Sequence, residues 1–196
     1  MPDRDSDQTR ADALAAGLST PTEIASWWIG LGPARWFVKD LALDDEIRTR
    51  FGPAHAAAAA GRLAAWEETA EGALALLLLL DQFPRNMFRG SPQAFATDAQ
   101  ALAIAERAIA RGFDRAFDNP VRRFFYLPHM HSEDLADQER CVALCRAADD
   151  ADGVHHAELH ADIIRRFGRF PHRNPLLGRQ TTAEEQAFLD AGGFAG

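Results

Sequence analysis

Residues 76–89, with the sequence LLLLLDQFPRNMFR, decide the fold of this chain. Five consecutive leucines leave no polar face, so a helix built from them must be buried on every side. The apolar run then ends in acid, amide, arginine and asparagine side chains within residues 81–86. These polar groups are therefore expected to enter protein rather than water. The stretch predicts a buried central helix whose polar end is a candidate functional centre.

Signals for helix starts recur along the rest of the chain. Three threonines, Thr20, Thr97 and Thr182, are each followed three residues later by glutamate or glutamine, which is the pattern of a capping box. Ser132 is expected to begin a further helix, with two acidic residues in its first turn where the helix dipole favours them. These signals predict a chain made of many short helices.

Two prolines are expected to interrupt helices. The central helix should run from about residue 69 to residue 83, because Pro84 lacks the amide hydrogen that would continue the ladder. Pro53, which follows a glycine, should break or kink an earlier helix that starts near Asp44.

No segment keeps the period-two alternation of a strand. We therefore expect an all-α fold, with roughly seven to nine helices joined by short loops and packed as antiparallel pairs. Residues 1–19 carry little apolar content and are expected to form a loose tail. Residues 20–196 are long enough for one helical domain with a full core.

Composition limits the classes of function. The net charge is −8, which argues against a general nucleic-acid binder, since such a protein needs a basic surface. The longest apolar run, residues 73–80, is too short to span a bilayer. The N-terminus lacks the apolar core of a signal peptide. The cysteines Cys141 and Cys145 are expected to be buried thiols. These features predict a cytoplasmic protein with no membrane or nucleic-acid partner.

Two segments of similar sequence suggest a ligand site. Residues 83–86, FPRN, and residues 170–174, FPHRN, have similar content, and each follows a strongly apolar helix. Both segments could simply cap exposed carbonyls at a helix end. Alternatively, both face one cleft and offer two guanidiniums to an anionic ligand. The side chains expected to line that pocket are Arg85, Asn86, His131, His172, Arg173 and Asn174.

A second group of residues suggests acid–base chemistry. Asp81 follows the leucine run directly, so it is either a buried ion pair that locks the helix end or a carboxylate with a tuned pKa. A hydrolase could use His131 or His160 as general base beside Asp81 or Glu133. Residues 129–134 contain two histidines and two acids, but a helix N-terminus favours anions over cations. A metal site is therefore not expected there. No cofactor is expected either, because the sequence has no phosphate loop, nucleophile elbow or dinucleotide fingerprint.

Four segments of the chain resemble the bacterial domain-of-unknown-function family 924. They are LLLLDQFPRNMFRG at residues 77–90, AFATD at 94–98, FFYLPHMHSEDLADQE at 124–139 and HADIIRRFGRFPHRNPLLGR at 160–179. The resemblance implies an all-α fold in which helix pairs stack into a tetratricopeptide-like superhelix. It implies no activity.

Three hypotheses of function follow. The leading one is a helical protein that binds a small anionic molecule or a peptide terminus in the pocket defined above. The second is the hydrolase-type enzyme, and the third is an interaction scaffold whose polar cluster is purely structural. A homodimer formed through Trp27, Trp28 and Trp36 is an alternative to packing those rings in the core.

Overall fold

A computed structural model describes residues 17–194 of the chain. Within that range the residues form α-helices, short 3₁₀ segments and one π-helical turn, and no strand. Seven of the α-helices have eight residues or more. The all-α prediction is therefore confirmed, whereas the superhelical arrangement stays a prediction. Most of the predicted tail, residues 1–16, lies outside the described range, and residues 17–20 precede the first helix.

The chain forms two compact units. The described part of the first unit comprises residues 17–89 and 93–128, and the second comprises residues 90–92 and 129–194. The expectation of a single helical domain from residue 20 stays a prediction, and each unit is described by itself below.

The first unit contains the leucine run. Its α-helices are α1 (Pro21–Leu31), α2 (Pro33–Trp36), α3 (Leu41–Ala59), α4 (Ala70–Leu77), α5 (Phe83–Met87) and α6 (Asp98–Ala110). The 3₁₀ segments of this unit are Ala64–Glu68, Pro92–Phe95 in part, Phe113–Ala116 and Val121–Phe125. The capping box at Thr20 forms as predicted, with the threonine hydroxyl accepting from the amide of Glu23.

The central helix does not end at Pro84, so this expectation was wrong. A π-helical turn, Leu78–Gln82, joins α4 to α5, and Pro84 lies in the first turn of α5. The amide of Phe83 donates to the carbonyl of Leu78, five residues back. A π turn takes up one residue more than an α turn, and Pro84 sits in the first turn of the helix that follows, where it needs no amide hydrogen.

Side chains from other elements bind the carbonyls of this turn. The Nδ1 atom of His55 lies 2.8 Å from the carbonyl oxygen of Leu79. The hydroxyl of Thr97 donates to the carbonyl of Leu80 over 2.5 Å. The expected capping box at Thr97 is therefore absent, since that hydroxyl makes no cap hydrogen bond to α6. The contacts stabilise the turn by satisfying acceptors within a buried helix.

Pro53 does not break its helix either, and the alternative of a kink stays a prediction. It lies inside α3, which runs without a break from Leu41 to Ala59. The tertiary packing of this helix outweighs the cost of one lost backbone hydrogen bond.

Large aromatic side chains fill the core of the first unit. Trp28 lies 5.3 Å from Phe83, and Phe51 lies 5.2 Å from Phe83, measured between ring centroids. The indole Nε1 of Trp36 donates to the carbonyl of Trp28 over 2.8 Å. Trp28 and Trp36 are buried, so they pack in the core of the unit. The leucines of the central run are buried as predicted, with at most 2% of each side chain exposed.

The second unit is built on a helix pair. The chain enters it within α7 (Leu127–His131) and continues through α8 (Leu135–Ala147), α9 (Ala151–Phe167), the 3₁₀ turn Pro171–Arg173 and α10 (Ala183–Asp190). Helices α8 and α9 pack against each other. Asp134 is the N-cap of α8, so Ser132 and Glu133 precede the helix rather than begin it. This difference frees Glu133 for a tertiary contact.

A small apolar core anchors α9 and α10. Ile163, Ile164 and Phe170 are buried together, and Phe167 and Phe188 pack against them. The capping box at the start of α10 forms as predicted. The core positions the turn after α9, which carries the second group of candidate residues.

Candidate functional site

The polar end of the central helix is an ion-pair cluster. Arg85 lies 3.2 Å from the buried carboxylate of Asp81 and donates two hydrogen bonds, of 2.9 and 3.0 Å, to the two carboxylate oxygens of Asp98. Burial disfavours the charged form of Arg85, but the charges of Asp81 and Asp98 outweigh it and raise the pKa of the guanidinium. Two of the predicted site residues, Asp81 and Arg85, therefore bind each other.

Asn86, the third candidate in this unit, bridges two further residues. Its Oδ1 accepts from Gln82 over 3.0 Å, and its Nδ2 donates to Asp44 over 2.8 Å. Arg89 donates to the same carboxylate from Nε and Nη2. The amide of Asn86 thus holds the end of the central helix to α3.

In the second unit, Glu133 clamps the turn after α9. Its Oε1 accepts from the amide of Phe170 over 2.8 Å, and Arg179 donates to both of its oxygens over 2.6 and 2.9 Å. Burial raises the pKa of Glu133, but the hydrogen bonds from Arg179 and Phe170 and the charges of Arg179 and Arg173 bring it below its usual value. Both oxygens of this candidate catalytic carboxylate are occupied.

A second clamp involves Asn174. Its Nδ2 lies 3.2 Å from Oε2 of the buried Glu185, which also receives two hydrogen bonds from Arg169. The Arg169 contact is the largest of the effects that lower the pKa of Glu185 to about 2. Glu185 was expected only as part of a capping box, because the pairing with Arg169 spans a loop that local sequence does not describe.

Three histidines and an arginine remain beside these clamps. We refer to His131, His160, His172 and Arg173 as the histidine cluster. Arg173 donates to the carbonyl of His131 over 2.9 Å, and its guanidinium carbon lies 4.7 Å from the ring centroid of Phe170. His131, His160 and Arg173 each act electrostatically on His172.

Two rings of the cluster, those of His160 and His172, are held neutral. The Nδ1 atom of His160 lies 2.8 Å from the carbonyl oxygen of His156. A carbonyl can only accept, so Nδ1 carries the hydrogen and Nε2 has a lone pair. The Nδ1 atom of His172 is buried and has no hydrogen-bond partner among residues 17–194. Burial, followed by the nearby positive charge of Arg173, lowers the pKa of His172 to about 4.

His160 behaves in the same way. Burial is the largest effect that lowers its pKa to about 4, and the charges of His156 and Arg173 act in the same direction. Both rings are therefore uncharged at neutral pH. His160 can offer the lone pair of its Nε2 atom, and His172 can offer either a lone pair or an N–H group at Nδ1. Such a group can accept a proton or bind a polar ligand.

Two phenylalanine rings border the cluster. Between ring centroids, Phe170 lies 5.6 Å from His160 and 5.7 Å from His172. The ring centroid of Phe194 lies 4.5 Å from that of His160 and 5.2 Å from that of His172. The approach of Phe194 was not expected from the sequence, because two glycines precede it and no periodic pattern marks it.

The candidate residues thus fall into two groups. Arg85 and Asn86 belong to the first unit, and His131, His172 and Arg173 belong to the second. Within each unit the structure brings the candidates together. The single pocket expected to hold all of them stays a prediction.

Comparisons with known proteins give a family but no activity. Residues 24–193 match the model of a family described as "Bacterial protein of unknown function (DUF924)". No curated protein matches the chain. A solved structure of the protein of unknown function ATU0120 from Agrobacterium tumefaciens is 48% identical in sequence, with a TM-score of 0.86. The match covers 92% of this chain and 99% of that one.

Among residues 17–194, no helix has the length and apolar character needed to cross a membrane.

Proposed function

Since the chain belongs to the DUF924 family of bacterial proteins of unknown function, we propose its function from side-chain geometry: it binds a small anionic ligand, or the carboxylate of a peptide terminus, at the histidine cluster. The observation that carries the proposal is the buried Nδ1 atom of His172, which has no hydrogen-bond partner within the described range. Buried polar atoms are nearly always hydrogen-bonded in folded proteins. A bound group would supply the missing partner.

The electrostatics of the cluster support an anion. The positive charge of Arg173 lowers the pKa of both His160 and His172, and at His172 it exceeds the opposing effect of the Glu133 carboxylate. An anion placed there would be stabilised by the same charge. The guanidinium is also held in place, by the carbonyl of His131 and the ring of Phe170, so little side-chain entropy is lost when it binds.

The other candidates have partners within their own units. Arg85 binds Asp98 and Asp81, and Asn86 binds Gln82 and Asp44. We therefore propose that the ligand contacts His131, His172 and Arg173. Asn174 would not contact the ligand but would hold the turn in place through its hydrogen bond to Glu185. A larger pocket that includes Arg85 and Asn86 stays a prediction.

The alternatives are less well supported by the same contacts. A hydrolase of the expected kind needs a carboxylate that can orient a histidine. Both oxygens of Glu133 bind Arg179, and one of them also binds the amide of Phe170, which is the bonding of a structural clamp. A protein whose polar cluster is purely structural should pair the buried Nδ1 atom of His172 internally, and no described residue does so.

Calorimetric titration with acetate and with inorganic phosphate tests the proposal. The wild-type protein should bind at least one of these anions. Arg173→Gln should weaken that binding by about tenfold or more, because a charge-assisted contact is lost. Arg165→Gln is the matched control, since it removes an exposed arginine of the same unit that pairs with Asp162, and it should bind like the wild type.

A second variant guards against misfolding of the first. His172→Phe keeps a planar ring but removes both nitrogens, and it should also weaken anion binding. The proposal is overturned if the wild-type protein binds neither anion, or if a folded Arg173→Gln or His172→Phe protein binds as tightly as the wild type.

A further inference from the structure

Phe194 makes an unusual contact for a residue beyond the last helix. Its ring meets His160 and His172 edge to face, with interplanar angles of 61° and 79°. The residue is nevertheless 39% exposed. The ring therefore contacts two neutral histidines while it remains partly exposed to solvent itself.

A turn built from two glycines brings Phe194 to this position. Gly192 has a φ of +80°, in the left-handed region that favours glycine. The amide of Gly193 donates to the carbonyl of Phe188 over 3.0 Å. A Cβ atom at Gly193 would lie 2.5 Å from Cζ of Phe188 and 2.6 Å from its carbonyl oxygen, so a larger residue would displace the turn. The backbone after α10 is thus shaped to return Phe194 to the histidines.

The ring of Phe194 satisfies only the apolar part of this site. An edge-to-face contact between aromatic rings is favourable beyond its buried area. A phenyl ring offers no hydrogen bond, however, and Nδ1 of His172 has no partner among the described residues. A molecule with both a ring and a polar anionic group would satisfy the site more fully than Phe194 does.

We infer that Phe194 is a displaceable plug, and that the ligand is a small ring-bearing anion whose planar ring takes the place of the Phe194 ring. In this arrangement the ligand's ring packs on His160 and His172, and its anionic group binds His172 and Arg173. The inference rests on the proposed anion-binding function. It adds the chemical class of the ligand and the competition between the ligand and the chain's own side chain.

Titration with phenylacetate and acetate tests the ligand class. Phenylacetate should bind the wild-type protein more tightly than acetate, because only phenylacetate can replace the ring contacts. Phe194→Ala should bind phenylacetate about fivefold more tightly than the wild type, the factor that corresponds to ~1 kcal/mol of lost competition. Leu177→Ala is the matched control, since Leu177 lies in the same unit and is also 39% exposed. It should leave both affinities unchanged.

Chemical modification tests the plug without any ligand. Diethylpyrocarbonate modifies neutral, accessible imidazoles, and mass spectrometry can follow each histidine separately. Phe194→Ala should speed modification of His160 and His172 severalfold relative to the wild type. His155 and His156, which are exposed on α9, serve as internal standards and should react at unchanged rates.

The outcomes separate the two proposals. If acetate and phenylacetate bind equally well, and Phe194→Ala changes neither affinity, the inference is overturned while the anion-binding function stands. If acetate, phosphate and phenylacetate all fail to bind the wild-type protein, both proposals fail. Unchanged modification rates of His160 and His172 in Phe194→Ala would overturn the plug.

Discussion

The guanidinium of Arg85 binds Asp98 through two parallel hydrogen bonds, Nη1 to Oδ1 over 2.9 Å and Nη2 to Oδ2 over 3.0 Å. The same Nη1 atom donates to the carbonyl of Asp81 over 2.7 Å. Arg85 therefore joins the end of the leucine-rich helix to the start of α6. The polar end of the helix therefore has a structural role in the first unit, where it holds two helices together.

We expect Asp98→Ala to lower the free energy of unfolding by about 2 kcal/mol, because it removes two charge-assisted hydrogen bonds from a partly buried arginine. Urea denaturation monitored by circular dichroism would measure the change. Asp162→Ala removes an exposed acid that pairs with Arg165 and should cost no more than about 0.5 kcal/mol. Equal effects of the two substitutions would contradict a structural role for the Arg85–Asp98 pair.

Thr97 should matter through its hydroxyl. Thr97→Val leaves the carbonyl of Leu80 without the donor at 2.5 Å, and we expect a loss of about 1 to 2 kcal/mol in the free energy of unfolding. Thr49→Val is the matched control, because that hydroxyl also donates to a backbone carbonyl, of Asp45, but at an exposed site. A control variant as unstable as Thr97→Val would argue that the effect is generic to threonine.

Glu185 should give the protein acid sensitivity at low pH. Its pKa is lowered to about 2 in the folded state, chiefly by Arg169, so its charge stabilises the fold above its ordinary pKa and this contribution is lost as pH falls toward 2. Glu185→Gln should therefore destabilise the protein most at pH 7 and least near pH 2. Denaturation midpoints at several pH values would check this. Glu184→Gln, at the exposed neighbouring position that pairs with Arg166, should show no such trend.

The histidine cluster should make the stability of the protein depend on pH in a higher range than Glu185 does. The pKa values of His160 and His172 fall from 6.5 to about 4 on folding. The unfolded chain therefore takes up protons that the folded protein does not, and stability should decrease as pH falls from about 6.5 to about 4. His172→Asn should flatten this dependence, whereas His155→Asn, at an exposed position, should not. The free energy of unfolding measured at pH 7, 6 and 5 decides between these outcomes.

The parts of the fold that were predictable from sequence depend on local chemistry. The leucine run requires burial because it has no polar face, and the structure buries it. The capping boxes at Thr20 and Thr182 form because both partners lie within one helical turn.

The parts that were not predictable depend on distant partners. Pro84 does not end the central helix, because the π turn places it in the first turn of α5. Thr97 has the sequence pattern of a capping box, but its hydroxyl donates to the backbone carbonyl of Leu80, 17 residues away. Leu159 lies four residues before the buried Ile163, a spacing typical of one helix face, yet it is exposed. Phe194 reaches the histidines through a turn whose geometry no short pattern describes.

Because of the π turn, the position of Pro84 in the helix depends on the number of leucines before it. Because the five leucines are identical, deletion of any one of them yields the same shortened protein. Such a deletion would convert the wide turn into a regular one without rotating the helical segments on either side. Pro84 would then press its ring against the backbone four residues earlier, inside the core. We therefore expect shortening the run to be harmful unless the proline is replaced at the same time.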